Sequence, residues 1–232
     1  MKKQTVAQTW ITTAIAAFLL TMGCQQLTPA MKQDDGERKW TFDKEQAGRI
    51  PDSWMVAETS GAGKTATWEI VIDDSVPSKP NAVAITESMN RGQTYNLLMA
   101  EEVLLQDVEV EVEVKALSGK IDQGGGPIWR AKDERNYYIC RWNPLENNLR
   151  VYVVKDGKRK QLASADVDAD AGSWHEIEIE HTGTKIIAEM DDKKLIVVED
   201  YTFLEAGMAG LWTKADAATL FDNFEVEPTD DD

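Results

Sequence analysis

Cysteine and histidine are scarce in this chain of 232 residues, which contains two of each. The two cysteines, Cys24 and Cys140, lie in very different sequence contexts, so no disulfide is expected between them. No Cys-x-x-Cys pair and no Cys/His ligand spacing is present. The sequence therefore gives no support to a zinc site, and no metal ligand set or cofactor is predicted from these residues.

Positive charge is also in short supply. The chain has 25 lysines and arginines against 41 aspartates and glutamates, which gives a net charge of -16 and an isoelectric point near 4.6. Nucleic-acid binding requires a basic surface, so no nucleic-acid partner is expected. The same acidity disfavours docking on anionic lipid and is typical of a soluble, self-repelling surface.

The chain lacks an apolar run long enough to span a membrane. Residues 11–20 form an apolar run of about ten residues, whereas a spanning helix needs about 20. Lys2 and Lys3 precede this run, and Gly23 and Cys24 follow it. The pattern is similar to a bacterial lipoprotein signal, and we predict a signal peptide over residues 1–24 with lipidation at Cys24. An ordinary secretory signal and an uncleaved anchor are the alternatives.

The location of the protein follows from that signal. Residues 25–39 are polar without periodicity and are predicted to be a flexible tether, and residues 228–232 are predicted to be an acidic tail. We expect an exported, lipid-anchored protein of the cell envelope, whose membrane partner is reached through the lipid on Cys24. Gln25 stands where aspartate typically retains lipoproteins at the inner membrane, which favours the outer membrane or the periplasmic side.

Helical periodicity and internal repeats are absent after the signal. Residues 108–114 alternate valine with glutamate, and residues 174–181 alternate histidine or isoleucine with glutamate. Such alternation is typical of half-buried strands. Asp156-Gly157 is a hairpin turn signal, and short strands recur every 8–12 residues. The prediction is an all-β, two-sheet antiparallel sandwich, a jelly roll over residues 40–227.

The residues with the strongest functional signal lie in residues 124–154. Arg130, Arg141 and Arg150 fall on successive strands beside aromatic or apolar neighbours such as Tyr137. Arginine donors suit vicinal hydroxyls or carboxylates, and aromatic rings suit the C–H face of a sugar. Asn143, Glu146 and Asn148 lie in the adjoining loop. We expect these residues to bind a ligand, the alternative being internal ion pairs and ordinary cross-strand contacts.

A second candidate patch follows near the end of the chain. Trp212 and Lys214 share a strand face as possible ligand-binding residues, and Asp216 lies in the next turn. His175, at a strand start, is a further candidate whose alternative role is to satisfy a backbone group. Calcium could bind at oxygens contributed by the following residues: Asp43, Asp222 and Asn223.

Two other groups of reactive residues are interpreted as structural. Glu109, Glu111 and Glu113 resemble the acidic triplet of a retaining glycosidase. The same alternation recurs at residues 176–180, so both are interpreted as the outward faces of strands. Cys140 lies between Tyr138 and Trp142 on one strand face and is expected to be a buried free thiol.

Residues 124–152, the Trp174-His175 strand start and residues 210–224 together resemble the bacterial 3-keto-disaccharide hydrolase domain family. The resemblance implies a concanavalin A-like, laminin-G-like jelly roll and an exported lipoprotein member. It also implies hydrolysis or elimination of 3-keto-glycosides. In that chemistry Arg141 would stabilise an enolate-like oxygen, and the base would be Glu146, Asp216 or His175.

Three functions remain open on these grounds. The first is a carbohydrate-active protein of the cell envelope, whose enzymatic form is a 3-keto-glycoside hydrolase or lyase. The second is a non-catalytic module that binds a glycan or a partner protein. The third is a structural envelope lipoprotein without a small ligand. In the carbohydrate hypothesis, the concave sheet is expected to carry Arg130, Arg141 and Trp212 together.

Overall fold

The computed structural model describes residues 36–61, 64–88, 90 and 92–229. The predicted signal peptide, Cys24, tether residues 25–35 and tail residues 230–232 lie outside the described residues. The described part of the chain is all-β, which confirms the predicted fold class. In that part, no helix has the length and apolarity needed to cross a membrane.

The described residues form fifteen strands. These are β1 Arg38–Trp40, β2 Trp54–Thr59, β3 Thr67–Ile72, β4 Asn81–Glu87, β5 Tyr95–Leu105, β6 Val108–Ser118, β7 Gly126–Asp133, β8 Asn136–Asn143, β9 Asn148–Lys155, β10 Lys158–Asp166, β11 His175–Thr182, β12 Lys185–Met190, β13 Lys193–Glu199, β14 Gly207–Lys214 and β15 Ala218–Glu227.

The strands make two antiparallel sheets. Sheet A has the order β13-β12-β11-β6-β15-β4-β3, with β1 also paired to β15. Sheet B has the order β10-β9-β8-β7-β14-β5-β2. Several connections cross from one sheet to the other, as when β6 of sheet A is followed by β7 of sheet B, and this produces the jelly-roll sandwich.

The core between the sheets follows from the alternation in the sequence. In β6 the four valines are buried while the intervening glutamates are partly exposed, as predicted. From sheet B, the facing residues Tyr138, Cys140 and Trp142 of β8 belong to the same buried cluster. Cys140 is the buried free cysteine of the described residues, in agreement with its predicted role.

The opposite face of sheet B carries a second apolar cluster, which includes Leu97, Ile139, Tyr152 and Trp212. We refer to this side of the sheet as the outer face of sheet B. The β9–β10 hairpin contributes to it through a tight turn at Asp156 and Gly157, whose φ angles are 52° and 76°. Left-handed φ angles at both turn residues match the twist of the strands, as the Asp-Gly signal predicts.

Candidate functional site

Polar and charged side chains gather at one end of the outer face of sheet B. Arg141 and Arg150 are cross-strand partners in β8 and β9, and Asn143 and Asn148 are the next such pair. Because directly paired residues point to the same side of a sheet, all four side chains share one face. The full set, called the Arg141 cluster below, is Arg141, Asn143, Glu146, Asn148, Arg150, Lys214 and Asp122.

Arg141 is at the centre of this cluster and is only 1% exposed. Its Nη1 lies 3.4 Å from Asp122 Oδ1, and its Nη2 donates to Asn148 Oδ1 at 2.9 Å. Nη2 also contacts Glu146 Oε2 at 3.1 Å. The guanidinium is thus held in one orientation by two carboxylates and an amide, as a site that recognises polar groups requires.

The β8–β9 turn presents Glu146 to the two arginines. Asn143 Oδ1 accepts hydrogen bonds from the backbone N–H groups of Leu145 and Glu146 at 2.9 and 3.2 Å. This local turn is the reason that asparagine is suited to position 143. Arg150 Nη1 approaches Glu146 Oε2 to 2.7 Å, and the side chains of Arg150 and Glu146 are 29% and 43% exposed. A ligand would therefore meet these two residues first.

Asp122 lies at the edge of the Arg141 cluster that is next to β14. Its Oδ2 accepts from Lys214 Nζ at 2.7 Å, and its Oδ1 accepts from Asn143 Nδ2 at 3.0 Å. The Asp122 and Arg141 side chains are both 1% exposed, so their ion pair lies in a largely desolvated environment. Asp122 was not identified from the sequence, because it lies in an irregular loop with no pattern around it.

Asp216 supports that loop and does not face the cluster. Its carboxylate accepts the backbone N–H groups of Lys120, Ile121 and Asp122, at 2.9 to 3.1 Å. Burial would raise the pKa of Asp216, but these three amide hydrogen bonds outweigh it and lower the pKa. Both oxygens accept backbone hydrogen bonds, so the structure gives Asp216 the role of positioning the loop that carries Asp122.

Glu146, the other candidate base, is also held in its ionised form. Burial would raise its pKa, but the hydrogen bond and charge of Arg141, with help from Asn148 and Arg150, lower it. A carboxylate with a lowered pKa is a weak proton acceptor near neutral pH. The Arg141 cluster is thus well arranged to hold a polar ligand and poorly arranged for general-base catalysis.

His175 lies in sheet A, outside the Arg141 cluster. Its Nδ1 is 2.9 Å from Asp191 Oδ2, and its Nε2 is 2.9 Å from the carbonyl oxygen of Asp170. Its ring packs edge-on against Trp142, which faces the core from β8. The structure therefore gives His175 the structural role that was the alternative in the sequence analysis.

Arg130 does not join the cluster either, contrary to the expectation of three converging arginines. Its guanidinium reaches the loops at another part of the sandwich, where Asp107 is its ionic partner. All five N–H donors are used, and their acceptors are Gln106 O, Gly183 O, Phe203 O, His181 O and Asp107 Oδ1. Arg130 therefore has no donor left for a ligand.

Tyr137 and Trp212 lie on the outer face of sheet B, but both are fully buried. The Tyr137 hydroxyl is 2.6 Å from Thr59 Oγ1, at the end of β8 away from Arg141, and burial raises the pKa of this phenol. Trp212 packs against Tyr95, with ring centroids 5.4 Å apart. Neither ring is presented as a free stacking surface of the kind expected from the sequence.

Arg159 of β10, like Asp122, is a residue of this face that was not predicted from the sequence. Its guanidinium carbon lies 4.3 Å from the ring centre of Tyr152, 5.1 Å from Tyr95 and 5.7 Å from Trp212. These are cation–π distances. The Asp156-Gly157 turn in the sequence indicates this position, because a two-residue hairpin pairs Arg159 with Val154. Val154 lies two residues from Tyr152 on the same strand, so Arg159 shares the face of Tyr152.

The oxygens considered for calcium lie away from the Arg141 cluster. Ser78 donates its hydroxyl to Asp43 and its backbone N–H to Asp222 Oδ2, the latter at 2.8 Å. Burial, with the nearby charge of Asp43, raises the pKa of Asp222 to about 6. Among the residues that the structure describes, no group of three or more His, Cys, Asp or Glu side chains is arranged around a common metal position.

The comparisons with known proteins agree with this architecture. A carbohydrate binding module, CBM66 from Bacillus subtilis, superposes with a TM-score of 0.61 at 18% identity and covers 75% of this chain and 95% of its own. The Ca2+/Man-bound VIP36 exoplasmic/lumenal domain gives 0.56 at 12% identity, covering 84% and 91%. A Bacillus subtilis protein of unknown function with a galectin-like fold gives 0.55 at 10%, covering 75% and 88%. These likenesses show the jelly-roll fold.

No curated protein matches the sequence. Residues 89–229, which include β5 to β15, match the family described as "Galactocerebrosidase, C-terminal lectin domain". This match supports a carbohydrate-related jelly roll but does not single out the 3-keto-disaccharide hydrolases that the sequence resembles. Because the match extends over more than half of the sequence, the chain belongs to the galactocerebrosidase C-terminal lectin domain family.

Proposed function

We propose that this chain is a non-catalytic glycan-binding module whose ligand site is the Arg141 cluster. The observation that carries the proposal is the convergence of three basic side chains, two amides and two carboxylates at one end of the outer face of sheet B. Membership of a family named for a lectin domain and the fold shared with CBM66 support the same function.

The chemistry of the cluster suits a sugar. Sugar hydroxyls both donate and accept hydrogen bonds, and the cluster offers both kinds of partner within one small surface. The partly exposed Arg150 fork can bridge two neighbouring hydroxyls, while the carboxylate of Glu146 can accept hydroxyl protons. Tyr152 lies on the same face as Arg150 but is buried beneath Arg159, so polar groups carry the recognition. Fixed donors reduce the ordering cost of binding, so selective recognition is expected from this arrangement.

The experiment is glycan-array screening of the full chain, followed by calorimetric titration of the best ligand. We expect binding by the wild-type protein and a loss of about tenfold or more in affinity for Glu146→Gln and Arg150→Gln. Arg135→Gln is the matched control, because Arg135 is an exposed arginine in the β7–β8 turn, away from the cluster. Absence of binding to every glycan, or equal losses in the control, would refute the proposal.

Hydrolysis of 3-keto-glycosides is the second candidate function, carried by the sequence resemblance. In this form Arg141 would stabilise the enolate-like oxygen, and Glu146 would be the base. The lowered pKa of Glu146 and the occupied carboxylate of Asp216 favour binding over this reaction. Incubation of a 3-keto-glucoside panel with wild type and Glu146→Gln decides between them, because turnover abolished by the substitution would establish the enzyme.

The cellular location is proposed on the sequence alone. Lipidation of Cys24 after removal of the signal would anchor the domain at the cell envelope. Metabolic labelling with a radioactive fatty acid should label the wild-type chain and leave Cys24→Ser unlabelled. Label on both chains would disprove lipidation at Cys24.

A structural calcium ion at Asp43 and Asp222 is a further proposal about this chain. Two adjacent carboxylates suit a hard cation, since calcium takes oxygen ligands. The Ca2+/Man-bound VIP36 domain shows that calcium occurs with a fold of this kind. We expect calcium to raise the melting temperature of the wild-type protein over that in chelator and to leave Asp222→Asn unchanged.

A further inference from the structure

Positively charged side chains outnumber negatively charged ones around Tyr152. Three arginines approach its side chain: Arg141 and Arg159 lie over the ring at 5.9 and 4.3 Å, and the Tyr152 hydroxyl raises the pKa of Arg150 through a hydrogen bond. Lys214 is a fourth cation of the same site. Among the described residues, three carboxylates lie on this face: Asp122 and Glu146, which contact the cations, and Asp166, which is the cross-strand partner of Asn148.

This excess runs against the character of the whole protein, whose net charge is -16. Like charges brought close together at a partly buried place repel one another and lose hydration. A folded chain that holds four cations among three carboxylates on one face therefore keeps an excess of positive charge there, which favours an anion.

Two guanidinium donors at the site are unsatisfied. Arg141 Nε and Arg159 Nη1 are buried and have no hydrogen-bond partner within the part of the chain that the structure describes. Arginine carries five N–H donors and no acceptor, so each buried N–H without a hydrogen-bond partner is a donor that a ligand oxygen can satisfy. Arg130 shows the contrast, since all five of its donors are paired.

We propose that the glycan bound at the Arg141 cluster is acidic, and that Arg159 and Arg141 select for its anionic oxygens. The proposal rests on the glycan-binding function proposed above and names the ligand class of that same site. A uronic acid carboxylate is the best fit, because it is planar and matches the guanidinium fork. A sulfate ester offers similar oxygens, so both are included in the test.

The experiment uses the full chain and pairs of probes that differ only in charge. The acidic probes are oligomers of galacturonate, glucuronate and mannuronate, and the neutral probes are the methyl esters of the same oligomers. A sulfated galactan oligosaccharide and its desulfated form make up the second arm. Affinities are measured by calorimetric titration at low and moderate salt.

We expect at least one acidic probe to bind about tenfold or more tightly than its neutral counterpart, which is the scale of one charge-assisted hydrogen bond. Arg159→Gln should remove most of this difference while changing the affinity for the neutral probe little. Arg135→Gln should retain it. Thermal melting of each variant establishes that the protein is folded at the titration temperature.

The possible outcomes separate the two proposals. Binding of neutral and acidic members of every pair with equal affinity would overturn the acidic-ligand proposal and leave the glycan-binding function intact. A charge preference that persists in Arg159→Gln and in Arg150→Gln would also overturn it. No binding to any probe here and none on the glycan array would overturn both. Preference for the sulfated member alone would assign the site to sulfate esters.

Discussion

Trp129 of sheet B donates its indole N–H to Nδ1 of His181 in sheet A, at 2.8 Å, across the interior of the sandwich. Because Nδ1 is the acceptor, the ring proton of the neutral imidazole lies on Nε2. His181 is fully buried, and burial, together with the charge of Arg130, lowers its pKa to about 3. This histidine is therefore a neutral structural link between the two sheets.

The first prediction concerns stability in acid. The folded pKa of His181, about 3, is below the unfolded value near 6.5, so below pH 6.5 the unfolded state takes up the proton and the folded state does not. The free energy of unfolding should fall by up to about 1.4 kcal/mol for each pH unit below 6.5 from this group. In His181→Gln that part of the pH dependence should be absent. Urea denaturation between pH 4 and 8 measures it.

His175→Gln is the control for this measurement, because His175 is the other histidine of sheet A and is partly exposed beside Asp191. It should keep the steep loss of stability in acid. If His181→Gln and wild type had parallel pH profiles, the buried neutral histidine would not be the cause.

The second prediction concerns the outward face of sheet A, where carboxylates stand opposite one another. Glu178 pairs with Glu111 on β6 and with Glu189 on β12, and Glu180 pairs with Glu109. Burial, followed by the charges of Glu109 and Glu189, raises the pKa of Glu178 to about 7. The glutamates that looked like a catalytic triplet therefore form a like-charge face that is costly to ionise.

The pH dependence of stability that Glu178 contributes has the opposite direction to that contributed by His181. Its folded pKa lies above the unfolded value near 4.5, so its stabilising protonation is fully present below pH 4.5 and is lost as the pH rises through 7. Glu178→Gln should therefore stabilise the protein at pH 8 and have little effect at pH 4.5. Glu101→Gln, at an exposed position, should be nearly neutral at both. Equal effects of the two substitutions at pH 8 would contradict the prediction.

The third prediction is that Arg130 stabilises the fold and takes no part in ligand binding. Lysine retains the charge but offers three donors in place of five, so Arg130→Lys leaves several loop carbonyls without partners. The free energy of unfolding should fall by about 3 kcal/mol. Arg135→Lys, at an exposed site, should change it by less than about 1 kcal/mol. At a temperature where Arg130→Lys is folded, its glycan affinity should equal that of wild type. A lower affinity would show that Arg130 takes part in ligand binding.

Alternation in the sequence was sufficient to predict the fold class. The valines of β6 and the isoleucines of β11 have a period of two, and the side that each side chain takes follows directly from it. One group of site residues could also be predicted from the sequence, because one hairpin brings them together and local spacing fixes their common face. These residues are Arg141, Asn143, Glu146, Asn148 and Arg150.

The rest of the site depended on contacts between segments far apart in sequence. Arg130 breaks the alternation of β7, with a φ of 45° and a shift of register beside it, and this turns its side chain toward the loops. No periodic pattern predicts such a bulge. Asp122 reaches the cluster because Asp216, 94 residues away from it, binds the backbone of its loop. Strand order, which the sequence pattern does not specify, decides that contact.

The last prediction follows from that loop. Asp216→Asn replaces one carboxylate oxygen by an N–H2 group, so the backbone N–H groups of Lys120, Ile121 and Asp122 lose part of their acceptor. Asp122 should then hold Lys214 and Arg141 less firmly. We expect glycan affinity to fall by about tenfold and the free energy of unfolding by about 1 kcal/mol.

Asp216 is expected to act on the ligand site through Asp122. The effect of Asp216→Asn on glycan affinity must therefore be measured separately from its effect on folding. Titration at a temperature where circular dichroism shows the variant fully folded removes the contribution of unfolding to the measured affinity. Asp168→Asn, at an exposed loop position, is the control and should bind as wild type does. Unchanged affinity of folded Asp216→Asn would mean that the contacts of Asp122 with Arg141, Asn143 and Lys214 are sufficient to set its position. A loss as large as that of Glu146→Gln would show that the loop is as necessary for the site as the residues expected to contact the sugar.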